Sequence, residues 1–316
     1  MVLGIHHVTA IASHPQPNVD FYVGVLGLRL IKQTVNFDDP GVYHLYYGDG
    51  IGTPGTLLTF FPYGDILPGK RGKGETIATT FEVPKGSLDW WCEHLSIQGI
   101  ENGIETIFGR QVVWALDHDK MRIEFEESEN ETPFVEWSGS VVPQDKAIRT
   151  IKRLALAPND LAGIGEFRTT EDALTGMFEA TLVGQEGNRT RYQLGVSEVD
   201  VYRDETMPRA QNSAGTVHHV AFRNKNQEIQ EEWLIKLMKA GFHASPVTER
   251  DYFKSIYFRE PGGVLFEFAT EGPGFLIDED EPTLGTHLKL PSRYESLRGQ
   301  LSKSLPQLNV SFGKVL

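Results

Sequence analysis

Five side chains of this 316-residue chain could share one reactive centre: the doublets His6-His7 and His218-His219, and Glu267. The first doublet lies in Gly4-Ile5-His6-His7-Val8-Thr9-Ala10 and the second in Thr216-Val217-His218-His219-Val220-Ala221. Both runs are rich in apolar and β-branched residues and read as strands. Glu267 sits inside a third such run, Gly262–Phe268, which holds no lysine or arginine. An ionised carboxylate there carries a large desolvation cost unless it is paired. A divalent cation would supply the charge and satisfy the lone pairs together. One imidazole from each doublet plus that carboxylate makes a two-histidine, one-carboxylate centre, the inventory of an oxygen-using iron enzyme. Side chains alternate across a strand, so one ring of each doublet is expected to face the inside of a curved sheet and the other to face away. Spacing alone leaves open which ring faces the metal.

The strands and helices that carry these groups recur. The chain reads as four copies of one unit: strand, helix, glycine stop, further strands. Copy one has a strand at 5–11, a helix at 18–26 stopped by Gly27, and strands at 43–47 and 56–61. Copy two has a strand at 77–83, a helix at 87–97 stopped by Gly99, and strands at 111–116 and 121–126. Copy three has a strand at 153–157, a helix at 170–181 stopped by Gly184, and strands at 190–194 and 198–203. Copy four has a strand at 216–223, a helix at 227–240 stopped by Gly241, and strands at 255–259 and 264–269. Glycine suits the stops because it takes the left-handed conformation that ends many helices. The expected organisation is an N-terminal half at 1–135 (modules 1 and 2), a C-terminal half at 145–272 (modules 3 and 4), and a tail at 273–316 with a helix near 293–304.

The doublets hold the same place in copies one and four. If those copies pair about a local two-fold, their first and last strands line one cavity, and the metal site falls between modules 1 and 4. The fourth equivalent place, near Thr59, offers no strong ligand. Glu124 resembles Glu267 in position, but copies two and three bring no histidine, so it reads as a surface or salt-bridged residue. Trp90-Trp91 with Leu95 reads as a helix face packing on the sheet. Tyr46, Phe60 and Phe253 neighbour the candidate ligands and suit an aromatic pocket. The acidic run Asp278–Glu281 reads as a solvated face.

Composition narrows the function. A net charge of -13 argues against nucleic acid and anionic membrane as partners, since both call for basic patches. Cys92 is the one cysteine, so a reducing, cytoplasmic setting is expected. The N-terminus has no secretory-signal pattern, and no stretch approaches the ~18 apolar residues of a membrane span.

These stretches resemble the vicinal-oxygen-chelate superfamily of glyoxalase I, bleomycin-resistance proteins and extradiol dioxygenases. Closer still is the likeness to hydroquinone-type ring-cleaving dioxygenases, including the Mhq-type proteins of Gram-positive bacteria. It rests on Gly4–His7, Leu28–Phe37, Tyr43–Gly48, Gly52–Phe61, Pro84–Trp91, His218-His219 and Tyr252–Glu267. The resemblance implies an α+β fold of four βαβββ modules forming two curved mixed β-sheet barrels. It implies that His7, His219 and Glu267 hold Fe(II), with O2 as co-substrate. By the same likeness His6 and His218 lie beside the metal ligands, and Arg250 and Tyr257 are polar pocket residues. Tyr257 and His218 are then candidates for proton transfer, Arg250 for holding a substrate oxyanion or orienting Tyr257, and His6 for bracing the strand. Catechol extradiol enzymes carry an acid–base histidine upstream of the metal glutamate. This chain has Thr248-Glu249-Arg250 there, which favours a hydroquinone. The implied activity is cleavage of small hydroquinone-type aromatics, in detoxification or degradation, by a chain that could form a homo-oligomer. Two alternatives stay open. A glyoxalase-like isomerase or thiol transferase would use another metal and an acid at the Thr59 place. A non-catalytic protein would sequester quinones.

Overall fold

The computed structural model describes residues 1–128, 132–160 and 163–310; the end of the expected tail, 311–316, lies outside them. Module one supplies β1 (Ile5–Ala12), α1 (Pro15–Tyr22), β2 (Arg29–Val35), β3 (Tyr43–Gly48) and β4 (Leu57–Pro62). Module two supplies β5 (Glu75–Val83), α2 (Leu88–Ile97), β6 (Asn102–Ile107), β7 (Arg110–Leu116) and β8 (Arg122–Glu127). Module three supplies β9 (Ile151–Ala157), α3 (Thr170–Asp172), β10 (Thr181–Glu186), β11 (Arg189–Leu194) and β12 (Ser197–Tyr202). Module four supplies β13 (Thr216–Asn224), α4 (Gln227–Lys239), β14 (Thr248–Glu249), β15 (Lys254–Arg259) and β16 (Leu265–Thr270), and α5 (Arg298–Ser304) lies in the tail.

The strands form two eight-stranded mixed sheets, as the α+β expectation requires. Their orders are β14-β15-β16-β13-β1-β4-β3-β2 and β10-β11-β12-β9-β5-β8-β7-β6. Each sheet joins two modules through their first strands, β1 antiparallel to β13 and β5 antiparallel to β9. One module of each pair comes from either side of the 135–145 break. In the first sheet each first strand also runs parallel to its own module's last strand, β1 beside β4 and β13 beside β16. The four strands nearest the local two-fold are therefore those that carry the candidate site. Helices cover the outer faces: Trp91 and Leu95 of α2 are fully buried, and Trp91 stacks on Phe125 of β8 at 4.4 Å. Trp90 is half-buried and stacks on His94 instead.

Four strands escape the sequence reading. Every residue of β2 is buried, so its sequence shows no polar alternation, while β10 is almost wholly exposed and lacks an apolar face. Short β6 and β14 are likewise edge-side additions. The third helix is also shorter than expected. Thr169 and Asp172 form a capping box, and after α3 the chain passes through a π-turn that ends at Met177. Glu179 then takes the left-handed conformation (φ 62), and Gly184 lies inside β10. By contrast Gly27, Gly99 and Gly241 adopt φ 69, 70 and 88 behind their helices, as the stop mechanism requires.

The acidic run departs from a purely solvated face. Asp278, Asp280 and Glu281 are exposed, but Glu279 is buried. The fully buried Lys32 ammonium of β2 reaches Glu279 at 2.5 Å and Asp278 at 2.7 Å. Lys32 also lies 5.0 Å from the Tyr252 ring. A buried ammonium needs such counter-charge. The pairing draws the tail, with Phe275 and Leu284, against Ile31, Tyr46, Tyr252 and Phe253.

Candidate metal centre and pocket

Both doublets sit at β-bulges. Between β1 and β13 the register runs Ile5↔Phe222 then His7↔Ala221, and Thr9↔His219 then Ala10↔Val217. His6 and His218 are thus the extra residues, each without a partner across the pair. A bulge re-aims side chains that strict alternation would place on opposite faces. The expected opposition of the two rings is accordingly not what forms. His6 Nδ1 lies 2.9 Å from His7 Nδ1, and His218 Nδ1 lies 2.8 Å from His219 Nδ1.

The far nitrogens converge. His7 Nε2 lies 3.3 Å from His219 Nε2 and 3.3 Å from Glu267 Oε2, and His219 Nε2 lies 2.9 Å from that same oxygen. All three residues are buried. One proton occupies each Nδ1–Nδ1 contact. With it on His7 and His219, both Nε2 lone pairs and the Glu267 carboxylate face one point. With the ring protons so placed, Glu267 Oε2 accepts no hydrogen bond among the described residues, while Oε1 accepts from Ser255 Oγ at 2.5 Å. Three electron-rich atoms facing one another repel unless a cation lies between them. Ligands held at about 2.1 Å from one ion stand roughly 3.0–3.4 Å apart in octahedral or tetrahedral geometry, and these separations match. The residues therefore fit a divalent metal, with His6 and His218 fixing tautomer and ring orientation.

Electrostatics agree. Burial, with His7 beside it, holds the His6 imidazole well below its ordinary pKa. Burial and His219 bring His218 down to about 3. Both rings are neutral near pH 7 and can accept the Nδ1 proton. Burial would raise the Glu267 carboxyl, and it is held well below its ordinary range when His7 and His219 turn protonated nitrogens toward it; with those protons on Nδ1 instead, the positive charge has to come from a cation at the same point.

A cavity of about 340 Å³ opens above these groups. His7, His218, His219, Arg250, Tyr257 and Phe253 line it, together with Asn36, Asp38, His44, Tyr46, Phe61 and Leu265. Arg250 Nε donates to the Tyr257 hydroxyl at 3.1 Å. Burial, with Glu267 adding to it, pushes the Tyr257 phenol well above its ordinary pKa, so it stays protonated. His6 packs on Phe253, ring centres 5.0 Å apart, beneath the cavity. Phe60 is not a pocket residue. It faces α1 and packs on Tyr22 at 4.5 Å, because alternation along β4 turns Thr59 and Phe61 inward instead. His44 was missed by the sequence reading. Its Nε2 meets Thr59 Oγ1 and its Nδ1 meets the Tyr46 hydroxyl, both at 2.9 Å. The signal was its place two residues before Tyr46 on one strand, hence on the same face.

The second sheet repeats the first, residue for residue. Its register runs Thr76↔Leu156 then Ala78↔Ala155, and Thr80↔Arg153 then Phe81↔Ile151. Ala78 and Arg153 thus stand where His7 and His219 do. Glu124, opposite Thr80, and Asp200, opposite Ala155, stand where Thr59 and Glu267 do. Arg153 is fully buried, 2.6 Å from Glu126, 3.1 Å from Glu198 and 3.3 Å from Asp200. Glu124 takes a 2.8 Å contact from Arg122. It is salt-bridged, as expected, but buried rather than on the surface. Fixed cations fill this copy.

The glyoxalase/bleomycin resistance protein/dioxygenase superfamily model matches residues 4–125. A Bacillus subtilis protein named "Putative ring-cleaving dioxygenase MhqO" is 41% identical over 305 residues, 96% of each chain. A crystal structure described as a "putative dioxygenase" from Bacillus subtilis superposes with a TM-score of 0.92 at 40% identity, covering 98% of each chain. The chlorohydroquinone/hydroquinone 1,2-dioxygenase of Sphingobium indicum is 33% identical over 316 residues, 96% of each chain.

Proposed function

Because the chain belongs to the glyoxalase/bleomycin resistance protein/dioxygenase superfamily, we propose that it is an Fe(II)-dependent dioxygenase that cleaves the ring of hydroquinone-type aromatics. The observation that carries this reading is the convergence of His7, His219 and Glu267 beneath a pocket walled by aromatic rings. A two-histidine, one-carboxylate set with open positions suits ferrous oxygen chemistry. The hydroquinone class is supported by the stretch Thr248-Glu249-Arg250, which holds no histidine where catechol enzymes carry an acid–base one, and by the activity in the name of the Sphingobium relative.

Fe(II) at this site would lower the pKa of a hydroxyl bound to it and hold ring and oxygen together. The chain's own residues do the rest. Phe61, Phe253 and Leu265 exclude water around a flat ring. Arg250 donates to the Tyr257 oxygen, which leaves the Tyr257 proton free to turn toward a substrate oxygen. His218 is neutral and commits Nδ1 to His219, so its other nitrogen is left for proton transfer in the pocket. Among the described residues no helix is long and apolar enough to cross a membrane. We assign the enzyme to the cytoplasm, a reducing compartment that its single cysteine suits, and to the disposal of hydroquinones and quinones.

Oxygen uptake tests this. Protein reconstituted anaerobically with Fe(II) is expected to consume one O2 per hydroquinone, and to turn hydroquinone over faster than catechol. Oxygen-independent turnover with zinc, or tight hydroquinone binding without oxygen uptake, would overturn it.

A further inference from the structure

The pocket's charged lining is one pair, and it closes on itself. Apart from histidines, Asp38 and Arg250 are the charged residues among those that line the cavity. Arg250 Nη2 lies 3.6 Å from Asp38 Oδ2 while its Nε is held by the Tyr257 hydroxyl. Asp38 is set at the mouth by a tight turn: its backbone N–H donates to Asn36 Oδ1 at 3.0 Å, and Asn36 N–H to the Val42 carbonyl at 2.8 Å. Its side chain is 79% exposed, whereas that of Arg250 is 18% exposed. Arg293, the next guanidinium outward, lies over Phe37 and donates to the Phe37 carbonyl, so it is committed as well.

We infer, resting on the function proposed above, that Asp38 is a specificity-determining residue that restricts the pocket to ring diphenols bearing no carboxylate. Moving a carboxylate out of water without a counter-charge is expensive. Among the described lining residues, the one guanidinium that could pair with it already faces Asp38. A ring carboxylate would either meet Asp38 directly or compete with it for Arg250. The overall charge of -13 opposes anion entry in the same sense. Neutral hydroxyls face no such barrier: Tyr63 lines the pocket with Tyr257 and His218, and the two phenols, whose oxygens accept from Asn36 and Arg250, keep their protons to donate. Uncharged substituents such as methyl or halogen meet Phe61, Phe253 and Leu265.

The test uses full-length protein loaded with Zn(II), so that binding is read without turnover. Hydroquinone and 2,5-dihydroxybenzoate are titrated calorimetrically under argon. The wild type is expected to prefer hydroquinone by about tenfold or more, the equivalent of ~1.4 kcal/mol. Asp38→Asn is expected to narrow that ratio by about fivefold, and Asp38→Glu to keep it. Equal affinities in the wild type, or a ratio unmoved by Asp38→Asn, would overturn the role of Asp38. Oxygen uptake by the Fe(II) protein separates the two levels. If uptake with hydroquinone persists while the ratio is unmoved, the specificity inference alone fails. If hydroquinone neither binds nor drives uptake, the proposed function fails with it.

Discussion

Thr59 and Glu267 occupy matching places in the first sheet. Thr59 pairs with Thr9 on β1, three residues after the bulge at His6, and Glu267 lies beside Ala221 on β13, three residues after the bulge at His218. The local two-fold thus presents four corners, of which His7, His219 and Glu267 carry donors suited to a metal. Thr59 carries a hydroxyl engaged with Thr9 Oγ1 at 2.8 Å and with His44. The asymmetry leaves one side of the centre open.

Filling that corner is expected to close it. Thr59→Glu would add a fourth donor, so the variant should hold its metal at least as tightly as the wild type while losing oxygen uptake roughly tenfold or more. Metal retention during dialysis against a chelator and uptake rates are the two measurements. Unchanged turnover would show that the open side lies elsewhere.

The bulge histidines act through their neighbours. His6→Ala and His218→Ala each remove the acceptor that fixes a ligand ring. Each is expected to weaken metal affinity about 10–100-fold while leaving the apo fold intact. Competitive chelator titration reads the affinity, and near-UV circular dichroism reads the fold.

Acid sensitivity follows from burial. His218 has an ordinary pKa of 6.5, brought down to about 3 in the folded chain. Between those values the unfolded chain binds a proton that the folded chain does not, so stability falls as pH falls from 6.5 toward 3 and is unaffected by this group above 6.5. Glu75 and Glu260, held up at about 7 by burial, work in the opposite sense. The His218 share is therefore isolated by difference. His218→Gln is expected to reduce the pH slope of apo stability by one proton, about 1.4 kcal/mol per pH unit, in urea melts at pH 5, 5.5 and 6.

Much of the site was legible because its chemistry is concentrated in rare places: two doublets at equivalent points of a repeat, and one acid in an apolar strand. The matching doublets made a pairing of copies one and four the arrangement to look for, and β1 lies beside β13. The bulges were not legible, since an inserted residue leaves no mark in a single sequence. Without them, alternation separates His6 from His7 and His218 from His219, and the Nδ1–Nδ1 pairs cannot be foreseen. Asp38 was hidden for a different reason. It comes from a loop, where no period fixes direction. β2 was hidden because burial on both faces removes the alternation that marks a strand. The burial of Glu279 depended on Lys32, some 250 residues away in sequence.

The second sheet should behave as a filled copy. Arg153 neutralises carboxylates that would otherwise be buried unpaired, so Arg153→Met is expected to destabilise the apo protein by about 3–5 kcal/mol. Chemical denaturation measures the loss. Metal content per folded chain should stay as in the wild type, because that sheet lacks the histidines.

The proposed chemistry requires His7, His219 and Glu267 together to hold one ion. Anaerobically reconstituted wild type, gel-filtered and analysed for metal, is predicted to retain one Fe(II) per chain, and folded His219→Ala and Glu267→Gln to retain essentially none. Wild type that keeps no metal, or either variant keeping as much as the wild type, would contradict it.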